Sequence, residues 1–371
     1  MLAPDPDGAP DNDDRDTRRD APAGATLEAR LTVDLAAIAA NWRALDALSA
    51  PEVETAAVVK ADAYGLGAAA VAPVLAEAGA RRFFVALPVE GLRLRDILGP
   101  EPEIYILGGY GAADRAAFER AALRPVINSL AQGNAWFEGG PAGPCALQLD
   151  SGMNRLGLER DELATVETLP EPVGFVMSHL ACADEPAHGQ NHAQLAAFEN
   201  MTAGLDRPRS LAATGGTLMG AAFHHDLTRP GIGLYGGLPF ADAAPVVRLD
   251  VPIIQIREVA RGEPVGYGAA WTATRPSRIA TLAIGYADGL IRAAGNRATA
   301  HLAGRALPYA GRVSMDLITL DVTDCPEAAE GAMVELLGPG CSVDRLATAA
   351  GTIGYEILTS LGARYARVYT G

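Results

Sequence analysis

From about Arg30 to Gly237, short apolar runs alternate with longer Ala-rich stretches. The runs are AAVVKA (56–61), RFFVAL (82–87), EIYILG (103–108), RPVINS (124–129), CALQLD (145–150), GFVMSH (174–179), SLAAT (210–214) and GIGLYG (231–236). Continuous rather than alternating apolar character predicts strands buried on both faces, as in a parallel sheet. The intervening stretches, such as LGAAAVAPVLAEAGA and AQLAAFENMTAG, space their apolar residues along one helical face. Eight strand–helix units over about 200 residues predict a (β/α)8 barrel of the TIM type. An open doubly wound sheet is the alternative, and it usually has fewer strands. Beyond residue 245 the pattern changes to short strands separated by Gly- and Pro-rich turns, as in VVRLDVPIIQIREVA and RALPYAGRVSMDLITLDV. This predicts a mostly β C-terminal domain over 246–371, with the barrel at 27–245.

Residues 1–26 stand apart. The first twenty carry seven Asp against three Arg and no apolar stretch of the kind a secretory signal needs. They read as a disordered acidic tail. No apolar run reaches the ~18 residues of a membrane span. The formal net charge of −15 argues against a nucleic-acid partner. Four dispersed cysteines without a CxxC pair fit a reducing, cytoplasmic setting.

Among 30 basic residues, 29 are arginine, and Lys60 is the sole lysine. A guanidinium is a permanent cation. An amine can lose its proton, attack a carbonyl and hold an aldehyde as an imine. Lys60 ends the first predicted strand, and barrel active sites form at the carboxyl ends of strands. Other polar residues fall there too: Asp150 and Arg155 after the fifth strand, His179 ending the sixth, Thr214 after the seventh and Arg229 leading into the eighth. The sequences TGG and PGIG place backbone N–H groups near the last two strands, where many barrels bind phosphate. A strand-end lysine beside a phosphate site suggests pyridoxal phosphate. Asp150 reads as a turn residue and HHD (224–226) as a solvated loop. HGQNH (188–192) lacks the compact ligand set of a metal site.

The ordered motifs AVVKADAYGLG, LDSGMNRLG, SHLACADE, RPGIGLYG, VGYGAAWTA, IGYADG, GRVSMD and GTIGYEILTSLGAR resemble those of the alanine racemase family. The resemblance covers nearly everything after the tail. It implies a barrel plus a β domain, pyridoxal 5'-phosphate as cofactor, alanine as substrate and a homodimer with shared active sites. By the same resemblance Lys60 carries the cofactor and serves as one base, with Tyr267 as the second base on the opposite face. Tyr64, Thr214, Gly231, Ile232 and Tyr355 match phosphate contacts. Arg155 matches a residue near the cofactor oxygen and substrate carboxylate, His179 one near the ring, and Arg229 one facing the ring nitrogen. Tyr286, Met315 and Asp316 match the substrate entry. Lys and Tyr both titrate near ~10, so both bases need cationic neighbours, here Arg155 and Arg229.

Three positions depart from the family pattern. Gln148 stands where many members carry a carbamylated lysine that orients the motif arginine, so it is expected to bond Arg155 or to leave room for an anion. Ala213 and Gly354 stand where Asn is frequent, and both are expected to open space in the site. A broad-specificity racemase and a barrel-type amino-acid decarboxylase are the alternatives, the latter disfavoured by SMD and VGYG. A cofactor-carrier protein of similar barrel lacks the β domain.

Overall fold

The computed structural model describes residues 28–138 and 142–371; the predicted tail lies outside them. The chain opens with strand β1 (Arg30–Asp34) and then enters the barrel. The barrel strands are β2 (Glu54–Thr55), β3 (Ala57–Val58), β4 (Arg82–Val85), β5 (Glu103–Ile106), β6 (Leu123–Ile127), β7 (Cys145–Gln148), β8 (Val173–Met177), β9 (Arg209–Ser210) and β10 (Leu227–Thr228). β2 and β3 are two paired stretches of one run, so the barrel has eight staves. β3 through β9 form one parallel sheet in sequence order. β10 pairs in parallel with β2. Backbone bonds from Asp226 N to Arg209 O (3.0 Å) and Arg229 N to Ala212 O (2.8 Å) join β10 to the β9 segment. The sheet is therefore closed. Phe84, Tyr105 and Phe175 fill its interior, with ring centroids 5.1 Å apart for Phe84–Tyr105 and for Tyr105–Phe175.

Two sequence expectations need correction here. GIGLYG is not the eighth strand; that strand lies just before it, and Ile232–Tyr235 forms a 3-10 turn. A short apolar run cannot separate a buried turn from a buried strand. Leu234 and Tyr235 are apolar because they are covered, and Tyr235 donates its hydroxyl to Val58 O at 3.0 Å. The HHD segment is a solvated loop only in part: Asp226 is exposed and His225 half-buried. His224 is buried, with Nε2 2.8 Å from Thr217 O and Nδ1 3.2 Å from Ser49 Oγ.

The second domain is built on β11 (Val247–Val259), a long strand that changes partners along its length. It pairs antiparallel with Ser277–Leu282, with Met333–Leu337 and with β1. β1 also pairs in parallel with the last strand, Ala366–Thr370. The chain's first strand thus belongs to the second domain's sheet, although it lies within the predicted barrel segment. The last strand also reaches the barrel: Arg367 donates to Gly65 O (2.7 Å) and Tyr369 to Leu66 O (3.0 Å). Among the described residues no helix is long and apolar enough to cross a membrane.

Candidate active site

A cavity of about 1120 Å³ opens at the carboxyl ends of the barrel strands. Lys60, Tyr64, Arg155, His179, Thr214, Arg229, Gly231, Ile232 and Tyr355 all line it. These nine come from loops spread over nearly 300 residues. Parallel strands bring eight of them together because every strand ends on the same side, and Tyr355 reaches the cavity from helix Gly354–Ser360 of the second domain.

Lys60 sits just past β3, at the start of a backbone turn of unusual hand. Ala61, Asp62, Ala63 and Tyr64 have φ of 53°, 55°, 54° and 56°. For L-residues this left-handed conformation costs roughly 1–2 kcal/mol each, so surrounding bonds must hold it. Ala63 N donates to Val59 O (2.9 Å) and Gly65 N to Ala61 O (2.7 Å). Ala68 N donates to Asp62 Oδ1 (2.7 Å), and Ala61 N to Glu90 Oε1 (2.6 Å). Gly65, at φ +82°, packs so close to the second domain that an added Cβ would lie 2.5 Å from Leu358 O. The Lys60 amine is pushed below its ordinary range by burial first, then by Arg155, with Glu90 opposing. Arg229 is not among the groups that act on it, contrary to the sequence expectation.

Arg229 is fully covered. It donates to Ser210 Oγ, Ser178 O (2.6 Å) and Leu211 O (3.4 Å), all neutral acceptors. Burial draws its pKa down to about 9, so it stays cationic at neutral pH. His179 is drawn down to about 3 by burial, then by Arg229, Arg155 and Lys60. Its ring is neutral under all ordinary conditions.

At the other side of the cavity the Thr214 hydroxyl oxygen accepts from Gly231 N (3.1 Å) and Gly233 N (3.2 Å). The Gly231 N–H is therefore not free, as the sequence reading supposed, but the Thr214 O–H proton remains available to donate. A Cβ at Gly231 would lie 2.3 Å from the Tyr64 hydroxyl. The Tyr64 ring packs between Tyr235 (4.7 Å) and Tyr355 (5.8 Å). Burial pushes the Tyr355 phenol up to about 12, with Asp184 and Asp344 adding to it, so it is a donor at neutral pH.

Asp150 forms the turn expected of it, accepting from Gly152 N (2.8 Å) and Met153 N (2.9 Å). Gln148 is buried and its amide donates to Leu156 O at 3.1 Å, and no hydrogen bond joins it to the Arg155 side chain among the described residues. It steadies the loop that carries Arg155 through the backbone. Gly354 does not open space. Asp344 fills it, with Oδ1 2.6 Å from where a Cβ would stand and Oδ2 accepting from Leu238 N at 3.1 Å.

Tyr267, Tyr286, Met315 and Asp316 do not line the cavity of their own chain. Tyr267 is 72% exposed and Met315 54%. Tyr286 and Met315 lie side by side through Tyr286 N to Ser314 O and Ala287 N to Met315 O, each 3.0 Å. Arg364 ties Asp316 (2.9 Å) to the buried Asp288 (2.6 Å). Sequence reasoning missed Glu90, Asp344, Ser178 and Ser210. Only Glu90 had a readable signal, a Pro–x–Glu helix start at Pro88–Glu90.

The family model for the alanine racemase N-terminal domain matches residues 33–239, and that for the C-terminal domain matches 246–369. An alanine racemase from Dinoroseobacter shibae is 58% identical over 345 residues, covering 92% of this chain and 98% of that one. The crystal structure of alanine racemase from Bartonella henselae with covalently bound pyridoxal phosphate is 39% identical, with a TM-score of 0.88 over 92% of this chain and 99% of that chain. The biosynthetic enzyme from Pseudomonas aeruginosa is 41% identical, with a TM-score of 0.87 over 93% and 100%. Matches to both domains, and relatives alike in sequence and fold over nearly their whole length, establish that the chain belongs to the alanine racemase family.

Proposed function

We propose that this chain interconverts L-alanine and D-alanine, using pyridoxal 5'-phosphate. The observation that carries the reading is a cavity that holds both the chain's sole lysine and a buried arginine with no carboxylate partner among the described residues. The residues present fit the cofactor. Lys60 offers an amine with a lowered proton affinity to an aldehyde. Arg229, whose partners are all neutral acceptors, suits an uncharged ring nitrogen. Thr214, Tyr64, Tyr355 and the Ile232 backbone suit a phosphate, while the Gly231 N–H is engaged by Thr214. When bound, pyridoxal phosphate supplies an electron sink that makes the α-proton of an amino acid removable.

The protein's own task is to hold the substrate and move one proton. Arg155 stands at the cavity to receive the substrate carboxylate. Neutral His179 adds no further charge between Arg155 and Arg229. Lys60 serves as the base on one face, helped by burial and Arg155, which favour the free amine. Tyr267 is exposed and away from its own cavity, so as the base on the other face it would act in the cavity of another copy. We assign that base to Tyr267 of a second copy, in a homodimer whose entry is lined by Tyr286, Met315 and Asp316. Asp344 filling the space at Gly354 favours a small substrate over a broad-specificity enzyme. The reaction would supply D-alanine for peptidoglycan synthesis or, run in the other direction, feed D-alanine into catabolism.

The test follows the optical rotation of L-alanine under the purified protein, with and without added pyridoxal phosphate. Rotation should decay to zero. Borohydride should then fix the cofactor to the one peptide bearing Lys60. A preparation that binds no cofactor and leaves the rotation unchanged overturns the reading.

A further inference from the structure

Glu90 stands at the start of helix Pro88–Leu98, in the loop after β4. Its Oε2 accepts from Ala86 N (2.7 Å) and Leu87 N (3.0 Å), as an ordinary helix cap does. Its Oε1 does something a cap does not require. It accepts from Ala61 N at 2.6 Å, 29 residues upstream, in the first of the four left-handed residues. One carboxylate thus joins the ends of two neighbouring barrel strands. The same carboxylate acts on the Lys60 amine as an opposing charge. We propose that Glu90 is a positioning residue for Lys60, its carboxylate clamping the left-handed turn that follows the lysine and standing as the counter-charge of the amine.

An amide in place of the carboxylate has only one acceptor oxygen. It cannot serve Ala61 N and the Ala86–Leu87 pair together. The charged or titratable groups facing the amine are Glu90 from this helix, Arg155 from the loop after β7 and His179 after β8. His179 is neutral, so Glu90 and Arg155 oppose each other. A carboxylate stabilises the ammonium form, and its loss lowers the pH at which the amine becomes free.

The inference rests on Lys60 being the reactive amine of the proposed function, but its test does not use racemisation. As Lys60 is the only lysine, amine labelling reports it in a single peptide. The full-length chain, freed of cofactor by hydroxylamine dialysis, is labelled by reductive methylation across a pH series, and the Lys60 peptide is quantified by mass spectrometry. Glu90→Gln should move the labelling midpoint down by roughly half a unit or more. Glu90→Asp keeps the charge on a shorter arm. It should leave the midpoint near that of the native chain, yet weaken pyridoxal phosphate binding by about tenfold, as the glutamine variant does. A purely structural role would not separate the two variants. An unchanged midpoint in folded Glu90→Gln overturns the proposal. Should that variant fail to fold, the native chain carries the test: the Ala61 amide resonance must follow the Glu90 carboxylate as it titrates, and its indifference overturns the clamp. Normal labelling shifts in a chain that never binds pyridoxal phosphate would refute the proposed function while supporting the assignment of Glu90.

Discussion

Gly231→Ala is the most direct test of how the cavity is built. The added Cβ would stand 2.3 Å from the Tyr64 hydroxyl oxygen, 3.1 Å from Tyr64 Cζ and 3.5 Å from Val58 Cβ. Ordinary contact begins near 3.4 Å, so the hydroxyl must retreat by about 1.1 Å. It has little room, since the ring is packed against Tyr235 and Tyr355. Overpacking of this kind costs about 1–3 kcal/mol. In a protein of this size that lowers the melting temperature by roughly 1–4 °C. A phenol displaced by ~1 Å would also lose the bond proposed for it with a bound phosphate, worth about 1.5–3 kcal/mol, or some 10- to 150-fold in cofactor affinity. Thermal melting of the cofactor-free chain and a titration with pyridoxal phosphate, followed by tryptophan fluorescence, read the two effects separately. Tyr64→Phe supplies the control. Alone it should weaken cofactor binding without the clash. Combined with Gly231→Ala it should restore most of the melting temperature, leaving affinity at the Tyr64→Phe level. Such non-additivity is the signature of a direct contact. Native melting and native affinity in Gly231→Ala, or a double variant as unstable as the single, would refute the reasoning.

Three further outcomes are expected. Lys60→Arg keeps the charge but removes the only amine able to hold an aldehyde; racemisation should fall by at least about 10³-fold, with no borohydride-fixed cofactor, and residual trapping would count against Lys60. Lys60→Ala and Tyr267→Phe, each inactive alone, should regain up to about a quarter of native activity after subunit exchange, because about half of the dimers are then mixed and each holds one intact site of two; no recovery would argue against a shared site. His179 has a folded pKa of about 3 against an ordinary 6.5, so unfolding takes up a proton between those values. Stability of the cofactor-free chain should therefore decline as pH falls through that window, and His179→Gln should flatten the slope by close to one proton in a urea series; an unaltered slope would show that His179 is not buried neutral.

The sequence by itself determined the chemistry and the coarse architecture. A lone Lys among 29 Arg singles out the one position that offers a side-chain amine to an aldehyde. Continuous apolar runs at even spacing specify buried parallel strands, and parallel strands carry Lys60, Arg155, His179, Thr214 and Arg229 to one mouth. Those inferences need only local pattern and the geometry of strand order.

The tertiary structure decided everything that depends on what lies opposite a residue. β1 reads as the start of the barrel but pairs with β11 and the last strand, because its partners are more than 200 residues away. The apolar GIGLYG is buried by the surrounding barrel rather than by pairing. Gln148 turned to Leu156 O, and Asp344 took the space at Gly354, because each meets a neighbour that the sequence does not place beside it. Glu90 carries only the signal of a helix start in the sequence, and the bond from its second oxygen to the lysine's turn spans 29 residues. Tyr267 is legible as an aromatic in a motif, yet its exposure leaves its proposed role to a second copy of the chain. A hydrogen bond or a counter-charge is a relation between two points in space, and a linear pattern of residue types records only one of them.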